Sequence, residues 1–321
     1  MMHALSRGGL TSPRYLLFIC FSFCFISFSS HGESVKEPST EAANANRNSE
    51  SSSTSTHQNL PSSQPLWEFG LGLGYASIPG YIGSSRQSNF ILPLPVLYYH
   101  GDKLKVSRQA IRADLLNNEN WEIRLSVSGY PPVDSDDNPE REGMDDLDVV
   151  FEAGPSVIYR DTFGDYDFSL ELPVRFAFSA DIERVADRGF VSSPKIRFSR
   201  QYNFENSRSL RWKLTLGADY AAGRYLDYYY SVDPEFATAN RPAFQAHGGL
   251  GGYYISLSNF YRVRDWNIGV FGRYYDLADA ANKNSPLIEQ DSANFFGLVV
   301  YKFLLSGGQR NSRSSAYEDD L

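Results

Sequence analysis

Residues 168–179 read FSLELPVRFAFS, and apolar and polar side chains alternate through nearly the whole stretch. Phe168, Leu170, Leu172, Val174, Phe176 and Phe178 occupy every second position. Successive side chains of a β-strand point to opposite faces, so this period predicts a strand with one apolar and one polar face. The stretch is long for a soluble strand of about 5–6 residues. It fits a tilted transmembrane strand, which needs about 9–11 residues.

The same alternation recurs along the chain. Long copies lie at 147–160 and 211–220, and shorter ones at 121–127, 253–257 and 266–270. Several copies begin or end with Trp or Tyr, which is typical of the aromatic belts at the two membrane–water interfaces. No segment of comparable length has the helical period. The pattern predicts an all-β fold, an antiparallel transmembrane β-barrel of 10–12 strands, with 12 favoured because closure requires an even number.

The polar face of these predicted strands carries charged side chains. We identify six candidate lumen-facing residues: Arg124, Glu171, Arg175, Lys213, Asp219 and Arg273. Such residues either pair across strands and fill the interior or line a polar path for small solutes. A barrel of about 12 strands has a narrow bore, which favours the first interpretation.

The connections between strands differ in length. Compact polar turns lie at 100–102, 117–120 and 163–165, and longer connections at 129–145, 182–189, 227–243 and 276–291. Short turns alternating with long loops are typical of a barrel with a periplasmic end and an outer end. The last predicted strand is 295–303, and a polar tail follows it.

Four regions are predicted along the chain. Residues 1–30 resemble a secretory signal peptide, with Arg7 and Arg14 before the apolar stretch 15–28; a retained anchor helix is the alternative. Both cysteines, Cys20 and Cys24, fall inside it, so the mature chain would have no disulfide. Residues 31–66 form a Ser- and Asn-rich linker that we expect to be disordered. The barrel spans 67–303, and 304–321 is a polar C-terminal tail.

Composition and motifs argue against several functions. A formal net charge of −8 is unlike that of a nucleic-acid-binding protein, and the sequence contains no HExxH, GxSxG or phosphate-binding loop. The acidic segment 134–138 invites a calcium site, but Pro139 stands where a helix-loop-helix site needs glycine, so a solvated loop is the simpler interpretation. We therefore expect no enzymatic activity, cofactor or metal. A soluble β-sandwich is the rival fold, although it would not explain the strand lengths.

Several short motifs occur in a fixed order along the predicted barrel. They include PGYIGS at 79–84, LPLP at 92–95, GD at 101–102, RxGMxxLD at 141–148, GP at 154–155, RPAF at 241–244 and SPL at 285–287. Together they resemble the family of the MltA-interacting protein (MipA) and OmpV, over residues 67–303. The motif positions are Tyr81, Gly83, Ser84, Pro93, Pro95, Gly101, Asp102, Arg141, Gly143, Met144, Leu147, Asp148, Gly154, Pro155, Arg241, Ser285 and Pro286.

The resemblance implies an outer-membrane protein of Gram-negative bacteria without catalytic residues. Its implied role is a scaffold that brings a lytic transglycosylase and a murein synthase together. The alternative, drawn from OmpV-type relatives, is a narrow porin or a surface-exposed adhesin or channel. The implied partners are outer-membrane lipid and these murein enzymes; the sequence gives no oligomeric state.

Overall fold

A computed structural model describes residues 65–100, 104–107, 110–113, 116–117, 120–181, 184–206 and 208–309. The predicted signal peptide, nearly all of the predicted linker, the motif residues Gly101 and Asp102, and residues 310–321 lie outside this part of the chain. No helix among the described residues has the length and apolar character needed to span a membrane.

The described chain is built mainly of β-strands. They are β1 (Pro65–Pro79), β2 (Gln87–His100), β3 (Leu104–Ser107), β4 (Ala110–Ala113), β5 (Leu116–Asn117), β6 (Trp121–Tyr130), β7 (Val149–Phe163), β8 (Tyr166–Ala180), β9 (Val185–Ser192), β10 (Lys195–Phe204), β11 (Arg208–Ala221), β12 (Gly249–Val263), β13 (Trp266–Asp276) and β14 (Ser292–Gln309). Helix α1 (Gly223–Tyr230) and a 3₁₀ turn (Pro234–Phe236) lie between β11 and β12.

These strands form one antiparallel sheet in the order β4-β3-β2-β1-β14-β13-β12-β11-β10-β8-β7-β6-β5. Strands β9 and β10 both pair with β8 and with β11, so together they cross the sheet once. We call each such full crossing a traverse. Strand β4, at one end of this order, lies beside β6 at the other end, which brings the two edges of the sheet together. The prediction of an antiparallel β-barrel is confirmed.

The barrel consists of long strands that cross the whole sheet and of a few short strands. Ten traverses run the height of the sheet in the described part of the chain, at the lower limit of the predicted 10–12. Long strands alone do not reach the favoured number of 12, because the described residues between β2 and β6 form the short strands β3, β4 and β5.

The two faces of the sheet have opposite polarity. On β8, Leu172, Val174 and Phe176 point outward with 46–57% of their surface exposed, whereas Glu171 and Arg175 point inward and are buried. Trp67, Trp121 and Trp266 are exposed at the short-turn end, and Tyr220, Tyr253 and Tyr274 at the opposite end. An apolar outer band between two aromatic girdles is the surface that a lipid bilayer requires of a barrel.

Three elements differ from the sequence expectation. The connection expected at 182–189 is mostly strand, since β9 begins at Val185 and pairs with β8 across a register shift at Ala177/Phe178. Strand β14 continues past Phe303 to Gln309, because β1 begins early enough to pair with it. The connection expected at 227–243 overlaps the end of helix α1, whose sequence GRYLDYYY is rich in Tyr, a residue that favours strands.

The lipid-facing band gives a depth-dependent prediction. Val174 lies near the middle of β8, so Val174→Arg would place a charge near the bilayer midplane and should lower the free energy of unfolding by about 2–4 kcal/mol. Val185, 70% exposed at the long-loop end, is the control, and Val185→Arg should cost at most about 1 kcal/mol. Urea unfolding in lipid vesicles measures both values. Equal costs at the two positions would contradict the orientation of the barrel in the membrane.

Candidate functional site

The four longest described connections lie at the same end of the barrel. They are residues 80–86, 131–148, 222–248 and 277–291, and we call them together the cap. The core of the cap is helix α1, which buries Tyr225, Leu226, Tyr229 and Tyr230. These side chains pack with Tyr81, Val133, Leu147 and Leu287 from the other three connections. The cap is therefore a packed hydrophobic unit.

Hydrogen bonds between the connections fix their relative positions. Tyr81 Oη donates to the carbonyl oxygen of Leu287 at 2.7 Å, and Tyr230 Oη donates to that of Ile82 at 2.9 Å. Ser285 Oγ donates to the carbonyl oxygen of Tyr230 at 2.6 Å. Each bond joins segments at least 55 residues apart in sequence, so the cap depends on tertiary contacts.

Two arginines hold the loop 131–148. Arg141 is 3% exposed and donates from Nε to Ser135 Oγ at 3.1 Å and from Nη2 to the carbonyl oxygen of Asp145 at 3.0 Å. Its Nη1 reaches the carbonyl oxygen of Tyr229 on α1 at 3.4 Å. Arg241 donates to the carbonyl oxygen of Glu140 at 2.8 Å. The planar guanidinium suits this work because its five donors form a fixed fork.

Most of the motif positions of the sequence lie in this cap. Tyr81, Ser84, Arg141, Leu147 and Ser285 are buried there. Met144 packs against the core of the cap, and the amide of Asp148 donates to Tyr228 Oη. Gly83 and Gly143 have φ values of +99° and +75°, a region in which residues with a Cβ are strained.

The other described motif positions lie on or beside the barrel wall. Pro93, Pro95 and Pro155 are exposed on the outer face of β2 and β7. Gly154 faces inward, and a Cβ there would lie 2.1 Å from the carbonyl oxygen of Val174 on the neighbouring strand. Pro286 is half-buried in the cap.

The acidic segment 134–138 is a hydrogen-bonded turn of the cap. The amide of Ser135 donates to Asp146 Oδ1 at 2.8 Å, and Ser84 Oγ donates to Asn138 Oδ1 at 2.9 Å. Arg86 Nε donates to the carbonyl oxygen of Asp137 at 3.0 Å. Within the described ranges, no group of three or more His, Cys, Asp and Glu residues is arranged to hold a metal ion.

Below the cap, charged side chains fill the interior of the barrel. Glu171 on β8 is 3% exposed and forms ion pairs with Arg124 at 3.2 Å, with Lys195 at 3.2 Å and with Arg197. Ser156 Oγ also donates to Glu171, at 3.4 Å. We call Glu171, Arg124, Lys195 and Arg197 the basic cluster. Three cations therefore share one buried carboxylate.

A second group of charges connects the wall to the cap. Arg175 pairs with Glu152 at 2.8 Å and donates to Ser193 Oγ at 2.8 Å. Tyr225 Oη on helix α1 donates to the same Glu152 carboxylate at 2.8 Å. The helix is therefore attached to a buried ion pair of the barrel wall, which fixes it in the lumen mouth.

On the opposite wall, Arg273 is held by aromatic rings and hydroxyls. Its guanidinium lies 4.5 Å from the ring centroid of Tyr254, and its Nε donates to Ser256 Oγ at 3.0 Å. Tyr275 Oη donates to Asp219 Oδ2 at 2.7 Å. Stacking on a ring compensates part of the cost of burying this cation.

A cavity of about 150 Å³ lies between the cap and the basic cluster. Five of the six residues expected from sequence to face the lumen line it: Arg124, Glu171, Arg175, Asp219 and Arg273. The sixth, Lys213, is buried on the same face of β11, where Ser199 of β10 is its cross-strand partner.

Sequence reasoning missed other residues that line the cavity. Glu152, Lys195 and Arg197 line it from the wall, and Tyr225, Tyr229 and Tyr230 line it from the helix. The sequence pattern does indicate an inward-facing Glu152, because this residue alternates with the apolar residues of β7. Lys195 and Arg197 belong to strand β10, which is not among the strands predicted from sequence, and the three tyrosines belong to helix α1, which was not predicted either.

The sheet, its apolar exterior, its charged interior and its cap define a transmembrane β-barrel of the outer-membrane type. The chain belongs to the family described as "MltA-interacting protein MipA", whose model matches residues 71–303. The resemblance seen in the motifs is confirmed. A comparison with curated proteins gives no match.

Three solved structures illustrate the structural similarities. A bacterial polysaccharide outer membrane secretin is 8% identical, with a TM-score of 0.37 over 74% of this chain and 99% of that chain. The NanC porin is 13% identical, with a TM-score of 0.31 over 74% and 100%. The toluene transporter TodX of Pseudomonas putida is 8% identical, with a TM-score of 0.28 over 76% and 90%.

The cap contains a pair of carboxyl groups, Glu140 and Glu289, whose interaction we expect to depend on pH. Burial and a hydrogen bond with Glu289 raise the pKa of Glu140 from 4.5 to about 7, whereas the same hydrogen bond lowers the pKa of Glu289. We therefore expect protonated Glu140 to donate to ionised Glu289, which would join loop 131–148 to loop 277–291. The contribution of Glu140 to the stability of the cap is lost as the pH rises through 7. The contribution of Glu289 is lost as the pH falls below 4.5.

Hydrogen exchange of the amides of 138–144, corrected for intrinsic rates, should therefore be faster at pH 8.5 than at pH 6. In Glu140→Gln the side-chain amide can donate at either pH, so the corrected difference should disappear. An unchanged pH dependence in this variant would contradict the role of the pair.

Proposed function

We propose that the protein is a non-catalytic scaffold of the Gram-negative outer membrane that docks murein-degrading and murein-synthesising enzymes. The family is described by its interaction with MltA, a lytic transglycosylase. The observation that carries the proposal is the barrel interior, in which buried ion pairs and helix α1 occupy the lumen. A filled lumen favours a role in binding other proteins over the alternative of a narrow porin.

The topology supports docking on the periplasmic side. Pro65 at the start of β1 pairs with Gln309 at the end of β14, so both segments leave the barrel at the short-turn end. Short turns of outer-membrane barrels face the periplasm, where murein lies. The proposed linker before residue 65 and the tail after residue 309 therefore start on the side where murein enzymes work.

The opposite end is less suited to docking these enzymes. The cap belongs to the long loops, which face the cell exterior in barrels of this type. Its motif residues Arg141, Ser285 and Tyr81 donate hydrogen bonds to backbone carbonyl oxygens of neighbouring connections. We assign them to the internal structure of the cap rather than to partner contacts.

Crosslinking of cell envelopes followed by purification of the full-length protein tests the scaffold. A lytic transglycosylase and a murein synthase should co-purify, and deletion of residues 33–64 should reduce their recovery about tenfold. Arg241→Ala, which removes bonds within the cap, is the control and should leave recovery unchanged.

Each variant must first show the heat-modifiable gel migration of a folded barrel. Recovery of no murein enzyme with the folded full-length protein would contradict the scaffold. Unchanged recovery after the deletion would contradict docking by the linker and leave the short turns as the docking surface.

A further inference from the structure

The cavity beneath the cap carries more positive than negative charge. Five cationic side chains line it, Arg124, Arg175, Lys195, Arg197 and Arg273, against three anionic ones, Glu152, Glu171 and Asp219. Arg175 and Glu152 form an ion pair in which the two charges compensate each other. Asp219 lies on the same side of the cavity as Arg273. The imbalance is therefore concentrated at the basic cluster.

At the basic cluster Glu171 pairs with three basic side chains, one of which, Arg124, also lies 4.0 Å from the Glu122 carboxylate. Arg124, Lys195 and Arg197 all pair with Glu171, and the side chains of Arg124, Lys195 and Arg197 are 9–12% exposed. Cations removed from water are costly unless anions compensate them, and proteins meet this cost with a bound anion or a paired carboxylate.

The geometry points to a binding site for a small organic anion in this cavity, with its carboxylate or phosphate group against the basic cluster. Arginine and lysine are the side chains that bind such groups through charge-assisted hydrogen bonds. The site does not depend on the scaffold function, because it uses the interior of the barrel and not its periplasmic face.

The upper wall of the cavity constrains the rest of the ligand. Tyrosines from the barrel and the cap surround it, namely Tyr81, Tyr130, Tyr225, Tyr229, Tyr230, Tyr254 and Tyr275. The aromatic faces and hydroxyl groups of these tyrosines can contact a ligand ring that carries polar substituents. A cavity of about 150 Å³ is smaller than the roughly 300–1,000 Å³ typical of drug-sized ligands. The ligand is therefore of monosaccharide size.

Titration calorimetry of the full-length protein in detergent, with D-glucuronate as the probe, tests this site. Glucuronate should bind at least tenfold more tightly than uncharged glucose at equal ionic strength, and added salt should weaken its binding. Lys195→Gln should weaken glucuronate binding about tenfold. Arg224→Gln, which removes an equal charge from an exposed surface ion pair, should leave it unchanged.

Glu171→Gln separates ligand binding from a purely structural role of the cluster. Loss of the competing carboxylate should strengthen glucuronate binding, whereas structural damage would weaken it. Heat-modifiable migration identifies variants that have folded. Equal affinity for glucuronate and glucose, or equal effects of Lys195→Gln and Arg224→Gln in folded proteins, would overturn the proposal.

Discussion

Backbone hydrogen bonding in lipid is the constraint on which the structure depends. A peptide group without a partner costs several kcal/mol in hydrocarbon, so strands can cross a membrane only when each pairs with neighbours on both sides. Here β1 is paired with both β2 and β14, the first and last long strands of the described chain being neighbours. In a sheet of this order, with β4 beside β6, every second side chain faces lipid and the alternate ones face the interior.

Charged side chains in the enclosed interior need oppositely charged partners, and this requirement explains the arrangement of the site. Charged side chains such as Glu171 and Arg175 lie on the inner face of β8, where they are shielded from bulk water. They are stabilised through ion pairs with adjacent strands, and the Glu152 pair extends this network to helix α1 through Tyr225. Barrel wall, ion pairs and cap therefore form one connected structure.

Alternation made much of this fold predictable from sequence. Trp212 and Leu214 against Lys213 gave both the strand and the orientation of each side chain, because lipid and lumen select opposite polarities on one strand. Helix α1 was missed because eight residues rich in Tyr carry a strand preference, and only the packing in the cap selects the helix. Strand β9 was missed because polar residues such as Asp187 and Arg188 conceal its alternation. The pairing of Arg124 with Glu171 depends on strand register, which the sequence does not give.

Conductance in planar lipid bilayers tests most directly whether the protein is a filled barrel rather than a channel. The folded full-length protein, inserted at a concentration at which a known porin gives stepwise currents, should give no steady conductance steps. That result would agree with a lumen occupied by its ion pairs and by helix α1. Persistent steps of uniform size would contradict the filled lumen and support the channel instead.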